Sequence, residues 1–194
     1  DDSVYAIDAT TGTERWQYNA GDDIISSPTV AEVDGGFFEA DGWTVFVGSG
    51  RFTFAGADDT HLYALNATTG DEEWRFDTGG AVRSSPTVAN VSTAEGREKT
   101  VFVGSDDNNL YAVDAADGDE RWNFTTGGSV DSSPTVATIT AAGRENETVF
   151  VGSWDTNVYA VNATTGTEQW RFITDGQIFR TSPTVAGGTV VVGS

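Results

Sequence analysis

Ala6-Ile7-Asp8-Ala9-Thr10-Thr11-Gly12-Thr13-Glu14-Arg15-Trp16 is written four times in this chain. The other copies run Ala64 to Trp74, Ala112 to Trp122 and Ala160 to Trp170, with Asn66 and Asn162 in the place of Asp8 and Asp117 in the place of Thr11. Each copy reads as strand, tight turn, strand. The Asp or Asn (Asp8, Asn66, Asp114, Asn162) can fold its side chain onto the following backbone amides, and the glycine supplies a positive φ.

Other landmarks keep the same step. Tyr5, Tyr63, Tyr111 and Tyr159 recur at spacings of 58, 48 and 48 residues, and Pro28, Pro86, Pro134 and Pro183 at 58, 48 and 49. A Val-Gly-Ser closes each unit at Val47, Val103, Val151 and Val192. Four aligned copies of several landmarks make this a repeat protein.

One period holds four β-rich runs: Ser85 to Val88, Thr100 to Ser105, Asn109 to Asp114 and Arg121 to Phe124. Proline restricts the first to a strand start, and no stretch shows a helical period. A four-stranded antiparallel unit of about this length is the size of a propeller blade. The expected fold is therefore all-β, a β-propeller forming a single domain over 1–194: half-blade 1–26, blades 27–83, 84–131 and 132–180, and half-blade 181–194.

The pattern Ala-x-Asp/Asn-x-x-Thr-Gly-x-x-x-Trp resembles the tryptophan-docking motif of PQQ-like repeat propellers, which include quinoprotein alcohol dehydrogenases and BamB-like assembly proteins. The resemblance spans the whole chain and implies structural roles for Trp16, Trp74, Trp122 and Trp170. Each indole would wedge against the neighbouring blade and donate its N–H to backbone. Rings in this family usually have seven or eight blades. We therefore read the four blades' worth of chain as half of an eight-bladed ring, completed by a second copy or by further chain. Self-closure as a four-bladed ring is the alternative.

The 194 residues carry 30 Asp+Glu against 10 Lys+Arg, a net charge of -20. Such a surface repels phosphate backbones and anionic headgroups, which argues against nucleic acid and membrane docking. The 6 Trp, 5 Tyr and 11 Phe argue against disorder. Lys99 is the single lysine, and the composition resembles that of haloarchaeal proteins, where molar salt screens self-repulsion. An acidic protein of ordinary salinity is the alternative. Acids crowd the turns and long hairpins, so the strands are expected to be nearly neutral.

No cysteine is present, so no disulfide, thiolate metal site or cysteine nucleophile exists. No apolar run approaches the ~20 residues of a membrane helix, and Asp1 to Tyr5 is not a signal peptide. Of five Asn-x-Ser/Thr sequons, Asn90 and Asn146 fall in long polar hairpins, a hint of export to the cell surface.

Ligands of propellers bind at the mouth of the channel, so positions that vary inside the constant frame are the candidates. Three residues before each proline stand Ile25, Arg83, Asp131 and Arg180. Two arginines and an aspartate near one axis would grip a carboxylate or peptide, or else pair with one another as a solvated rim. After each Gly-Ser stand Gly50, Asp106 and Trp154, the last a stacking platform or a packing residue. The first complete blade carries ten extra residues, whose segment Gly50 to Asp59 brings Arg51, Phe52 and Phe54 to an acidic protein as a candidate binding loop. Asp106-Asp107-Asn108-Asn109 either holds a cation loosely or shapes a turn, and His61, at the position of Asn109 and Asn157, reads as a turn residue.

No P-loop, HExxH, GxSxG or EF-hand pattern occurs. The expected function is a non-catalytic scaffold with no cofactor, binding a protein or peptide partner by its rim, cell-surface or secreted, in a high-salt environment. The resemblance offers an alternative, a fragment of a PQQ-dependent alcohol or sugar dehydrogenase. That would need the quinone, a Ca²⁺ held by Glu, Asn and Asp, and a catalytic Asp. A carbohydrate-binding module using Trp154 and the loop phenylalanines is a third reading.

Overall fold

The computed structural model describes residues 1–33, 42–51, 59–94, 96–141 and 143–194, with the side chain of residue 141 left aside. Sixteen strands, all paired antiparallel, make up these residues. Three four-stranded sheets form in chain order. The first is β3 (Thr29–Glu32), β4 (Trp43–Gly48), β5 (His61–Asn66) and β6 (Glu72–Asp77). The second is β7 (Thr87–Ser92), β8 (Arg97–Gly104), β9 (Asn109–Asp114) and β10 (Glu120–Thr125). The third is β11 (Thr135–Ala141), β12 (Arg144–Gly152), β13 (Asn157–Asn162) and β14 (Glu168–Ile173). Two-stranded sheets flank them, β1 (Ser3–Ile7) with β2 (Glu14–Asn19) and β15 (Thr184–Ala186) with β16 (Thr189–Val191). These are the blades and half-blades of the repeat, and β1–β2 and β15–β16 remain separate sheets. No helix is long and apolar enough to cross a membrane among the described residues.

The hairpin chemistry is as the motif demands. The Asp8 carboxylate accepts the N–H groups of Thr10 and Thr11 at 2.9 and 3.0 Å, and Asn66 and Asn162 cap their turns in the same way. A register shift follows Ala6, Ala64 and Ala160 and recurs between Glu120 and Trp122, so every outer hairpin carries the same bulge. The innermost strand begins after the proline and runs further than its sequence core. β7 reaches Ser92 and β8 starts at Arg97, so the polar hairpin is mostly ladder. The strands are not neutral either. Glu72, Glu73 and Glu120 lie in the outermost strands, and Glu98, Glu145 and Glu147 in the second. Antiparallel strands with one wet face place acids there without loss of pairing.

The core lies between blades. Phe46, Leu62, Ala64 and Trp74 of the first blade pack with Val101, Val103, Tyr111, Val113 and Ala115 of the second. The same faces recur between the second and third. The Trp74 indole donates to the Ala115 carbonyl at 3.2 Å, and Trp16 and Trp122 donate to Ala67 and Ala163 at 3.0 Å. Each ring lies on the glycine of the next hairpin, where a Cβ on Gly118 would stand 2.8 Å from Trp74. Among the described residues Trp170 has no such neighbour, and it is 42% exposed.

A second belt joins the inner strands. Thr29, Thr87 and Thr135 donate through Oγ1 to the carbonyls of Pro86, Pro134 and Pro183 at 2.6, 2.6 and 2.5 Å. The amides of Ser27, Ser85 and Ser133 donate to the hydroxyls of Ser85, Ser133 and Ser182 at 2.8, 3.0 and 3.1 Å. The Ser-Pro-Thr sequence is thus a blade-to-blade clasp. The glycine of Val-Gly-Ser has a similar origin. A Cβ on Gly48, Gly104 or Gly152 would stand 2.3 Å from Val82, Val130 or Ile178 of the next connection.

Candidate functional site

The residues entering the inner strands are set by two fixed contacts, the backbone bonds from Val82, Val130 and Ile178 to Ser49, Ser105 and Ser153 at 2.9, 3.0 and 3.2 Å, and the clasp below them. Side chains just after these valines and isoleucine therefore gather on one rim. Arg83, Asp131, Trp154 and Arg180 are brought together there. The Arg83 guanidinium stands 2.6 Å from Asp106 and 3.0 Å from Asp131, and the side chains of Arg83 and Asp131 are 4% and 1% exposed. Arg83 lies 5.6 Å from the Trp154 ring centroid, the Trp154 and Phe179 rings meet at a tilt of 54° with centroids 5.2 Å apart, and Arg180 lies 5.2 Å from the Phe179 ring centroid.

The site therefore has a buried ionic floor under an exposed aromatic and cationic lip. Two carboxylates share one guanidinium, an arrangement that disfavours full ionisation. Burial, reinforced by Asp106 and opposed by Arg83 and Arg180, pushes the Asp131 carboxyl up to about 7. Asp131 therefore holds its proton into the neutral range. Arg83 is thus committed to internal carboxylates, and the mutual pairing expected of a solvated rim occurs in a buried setting. Phe179 is 49% exposed, and Arg180 is exposed with a φ of 57°.

Phe179 and the pairing role of Asp106 were not foreseen from sequence. The signal for Phe179 is the 49-residue step from Pro134 to Pro183. Counted from Ile178, which packs on Gly152 as Val82 packs on Gly48, Phe179 fills the rim position of Arg83. Arg180 is the extra residue, absorbed in the left-handed region that L-residues seldom adopt.

Arg51 is not part of this cluster among the described contacts. It lies 3.7 Å from both Asp22 and Asp23, at the junction before the first complete blade. Phe52 and Phe54 lie outside the described residues. Asp107 is a turn residue, accepting Asn109 N–H at 2.9 Å and the Tyr111 hydroxyl at 2.6 Å. His61 opens β5 with Nδ1 2.5 Å from Asp59. The Asp155 carboxylate does the same for Tyr159 at 2.6 Å, and burial with this acid pushes the Tyr159 hydroxyl up to about 12.

Blades of four antiparallel strands, clasped through docked tryptophans, define a PQQ-like repeat β-propeller. A family model described as outer membrane protein assembly factor BamB matches residues 1–94, 91–142 and 137–194, and the chain belongs to that family. BamB of Moraxella catarrhalis is similar in structure, with a TM-score of 0.62 and 20% identity over 98% of this chain and 48% of that one. Quinohemoprotein alcohol dehydrogenase of Comamonas testosteroni gives 0.65 and 18% over 89% of this chain and 32% of that one. A quinoprotein ethanol dehydrogenase of Pseudomonas putida is 30% identical over 84 residues, 43% of this chain and 11% of that protein. The chain thus spans about half, a third or less of these relatives' lengths.

A quinone with its Ca²⁺ would need acids converging on the rim. Asp106 and Asp131 instead neutralise Arg83, and the cluster of three acids found among the described residues stands elsewhere, at Asp2, Asp22 and Asp23. The rim residues described here do not fit that group.

Proposed function

We propose that the chain is a non-catalytic propeller scaffold whose rim holds an extended protein or peptide segment. The carrying observation is the exposed lip of Phe179 and Arg180 above a salt-bridged floor that holds Trp154. Arg180 takes a carboxylate, and the Trp154–Phe179 pair takes the apolar group beside it. Membership of the BamB-described family supports a protein-binding role and a station at the cell surface or outside it. The net charge of -20 supports a high-salt setting and the absence of nucleic-acid partners.

Calorimetric titration tests this with a short peptide ending in phenylalanine and its C-terminal amide. The free acid should bind the parent more tightly than the amide, and Arg180→Gln should cost it about tenfold, near 1.4 kcal/mol. Equal affinities for acid and amide would refute the carboxylate role. The second reading, a fragment of a quinone-dependent dehydrogenase, rests on the 84-residue likeness to the Pseudomonas putida enzyme. It would be upheld by dye-linked alcohol oxidation after addition of the quinone and Ca²⁺, a result that would overturn the scaffold.

A further inference from the structure

At the junction between the first hairpin and the first complete blade, Asp2, Asp22 and Asp23 each bring a carboxylate oxygen within 4.8 Å of the other two. Their backbones are pinned. The Asp2 carbonyl accepts Ala20 N–H at 2.8 Å, the Asp23 carbonyl accepts Gly50 N–H at 3.0 Å, and the Asp22 carbonyl accepts the Ser49 hydroxyl at 3.3 Å. Asp22 is only 5% exposed. Its Oδ1 accepts the Asp23 N–H at 2.7 Å, but its Oδ2 is buried with no hydrogen-bond partner among the described residues. A buried carboxylate oxygen without a donor is costly, and a cation would satisfy it.

Arg51 does not fill that role. Its Nε and Nη1 lie 3.7 Å from Asp22 Oδ1 and Asp23 Oδ2, beyond hydrogen-bond length, its side chain is 52% exposed, and the Asp22 oxygen it approaches is not the orphaned one. One guanidinium leaves two of three negative charges uncompensated.

The repeat shows how the site arose. By the 58-residue step, Asp22 and Asp23 stand where the next junction has Gly80 and Ala81. A Cβ on Gly80 would meet the Asp107 backbone at 2.6 Å, and one on Gly128 the Asp155 backbone at 2.9 Å. Only glycine fits at those junctions. The first complete blade carries its insertion where the others have that turn, and there the glycine position admits an acid.

We propose that Asp2, Asp22 and Asp23 form a Ca²⁺-class site that ties the first hairpin to the first complete blade. Ca²⁺ binds oxygens at about 2.3–2.6 Å in flexible geometry, so one ion can draw together three oxygens that lie within 4.8 Å of one another. Three hard oxygen donors with no nitrogen or sulfur select this class over zinc or copper.

The test is calorimetric titration of Ca²⁺ into chelator-treated protein at about 1 M KCl, where diffuse attraction is screened. One saturable site is expected, in the range of about 10⁻⁴–10⁻³ M typical of extracellular Ca²⁺ modules. Asp22→Asn should weaken it at least tenfold, while Asp117→Asn, in an exposed turn, should leave it unchanged. Arg51→Gln should tighten binding several-fold by removing the competing charge, a change that a purely structural ion-pair cluster would not produce. Absence of saturable binding, or equal affinity in Asp22→Asn, would overturn the proposal. If Asp22→Asn does not fold, Arg51→Gln decides in its place: unchanged or weaker Ca²⁺ binding in that variant overturns the site.

Discussion

At the scale of single residues the molecule turns on a tryptophan lying on a glycine. Trp74→Ala removes a buried ring and its bond to Ala115, and should lower unfolding free energy by about 3–5 kcal/mol in denaturant titration. Gly118→Ala should cost about 1–3 kcal/mol, because its methyl meets that ring and its φ is +80°. The roles of the docking residues were legible in the sequence, since the partners recur at fixed steps. The rim was legible in part. Repeat position announced that Arg83, Asp131, Trp154 and Arg180 converge, but their pairing depends on side chains from different blades, which no local pattern encodes. Asp131 gives this burial a pH signature. Its folded-state pKa, raised from 3.8 to about 7, means the folded form holds a proton that the unfolded form has released between those values. Stability from this group is therefore full below about pH 4, falls as pH rises to about 7, and is flat beyond. Asp131→Asn should flatten that decline, which amounts to about 2–4 kcal/mol, in denaturant titrations between pH 4 and 8.

At the scale of elements, blades are joined by side chains as much as by strands. Thr87→Val keeps shape but removes the donor to the Pro134 carbonyl, and should cost about 1–3 kcal/mol, whereas Thr87→Ser should restore most of it in the same thermal or denaturant unfolding assay. Strand existence and order were plain from the alternating aromatic and β-branched runs. Strand ends were not, because the ladder of β7 with β8 continues through polar Asn90–Lys99 and Ser92–Arg97 pairs that carry no hydrophobic signal. The same blindness hid the acids within the outer strands. Nor could sequence bring Asp2 to Asp22, since that contact depends on the hairpin closing first.

At the scale of the whole molecule the two end faces both expose aromatic side chains. Trp170 and Phe172 are 42% and 64% exposed, beside an apolar groove of about 730 Å³, and Tyr5 is 43% exposed with open space over Gly12. By the repeat, Trp170 belongs on Ala9 and Gly12, and Phe172 against Tyr5, as Phe76 meets Tyr111 at 5.3 Å. We propose that a second copy joins through these faces to complete the ring. Light scattering at about 1 M KCl should give a dimer that Trp170→Ala dissociates, and a stable monomer would refute it. One earlier feature reaches further. Each junction repeats the same indole-on-glycine seat and the same hydroxyl clasp, so the polypeptide is a tally in which blade number is set by copy number alone. Excision of one 48-residue period, Tyr111 to Val158, would seat Trp74 on the hairpin of Ala163 and Gly166 and bring Thr87 to Pro183, keeping the indole seat and the clasp but removing Asp131 and Trp154 from the rim. Gene duplication could lengthen or shorten such a chain by whole turns of the count, leaving the rim as the place where individual history is written.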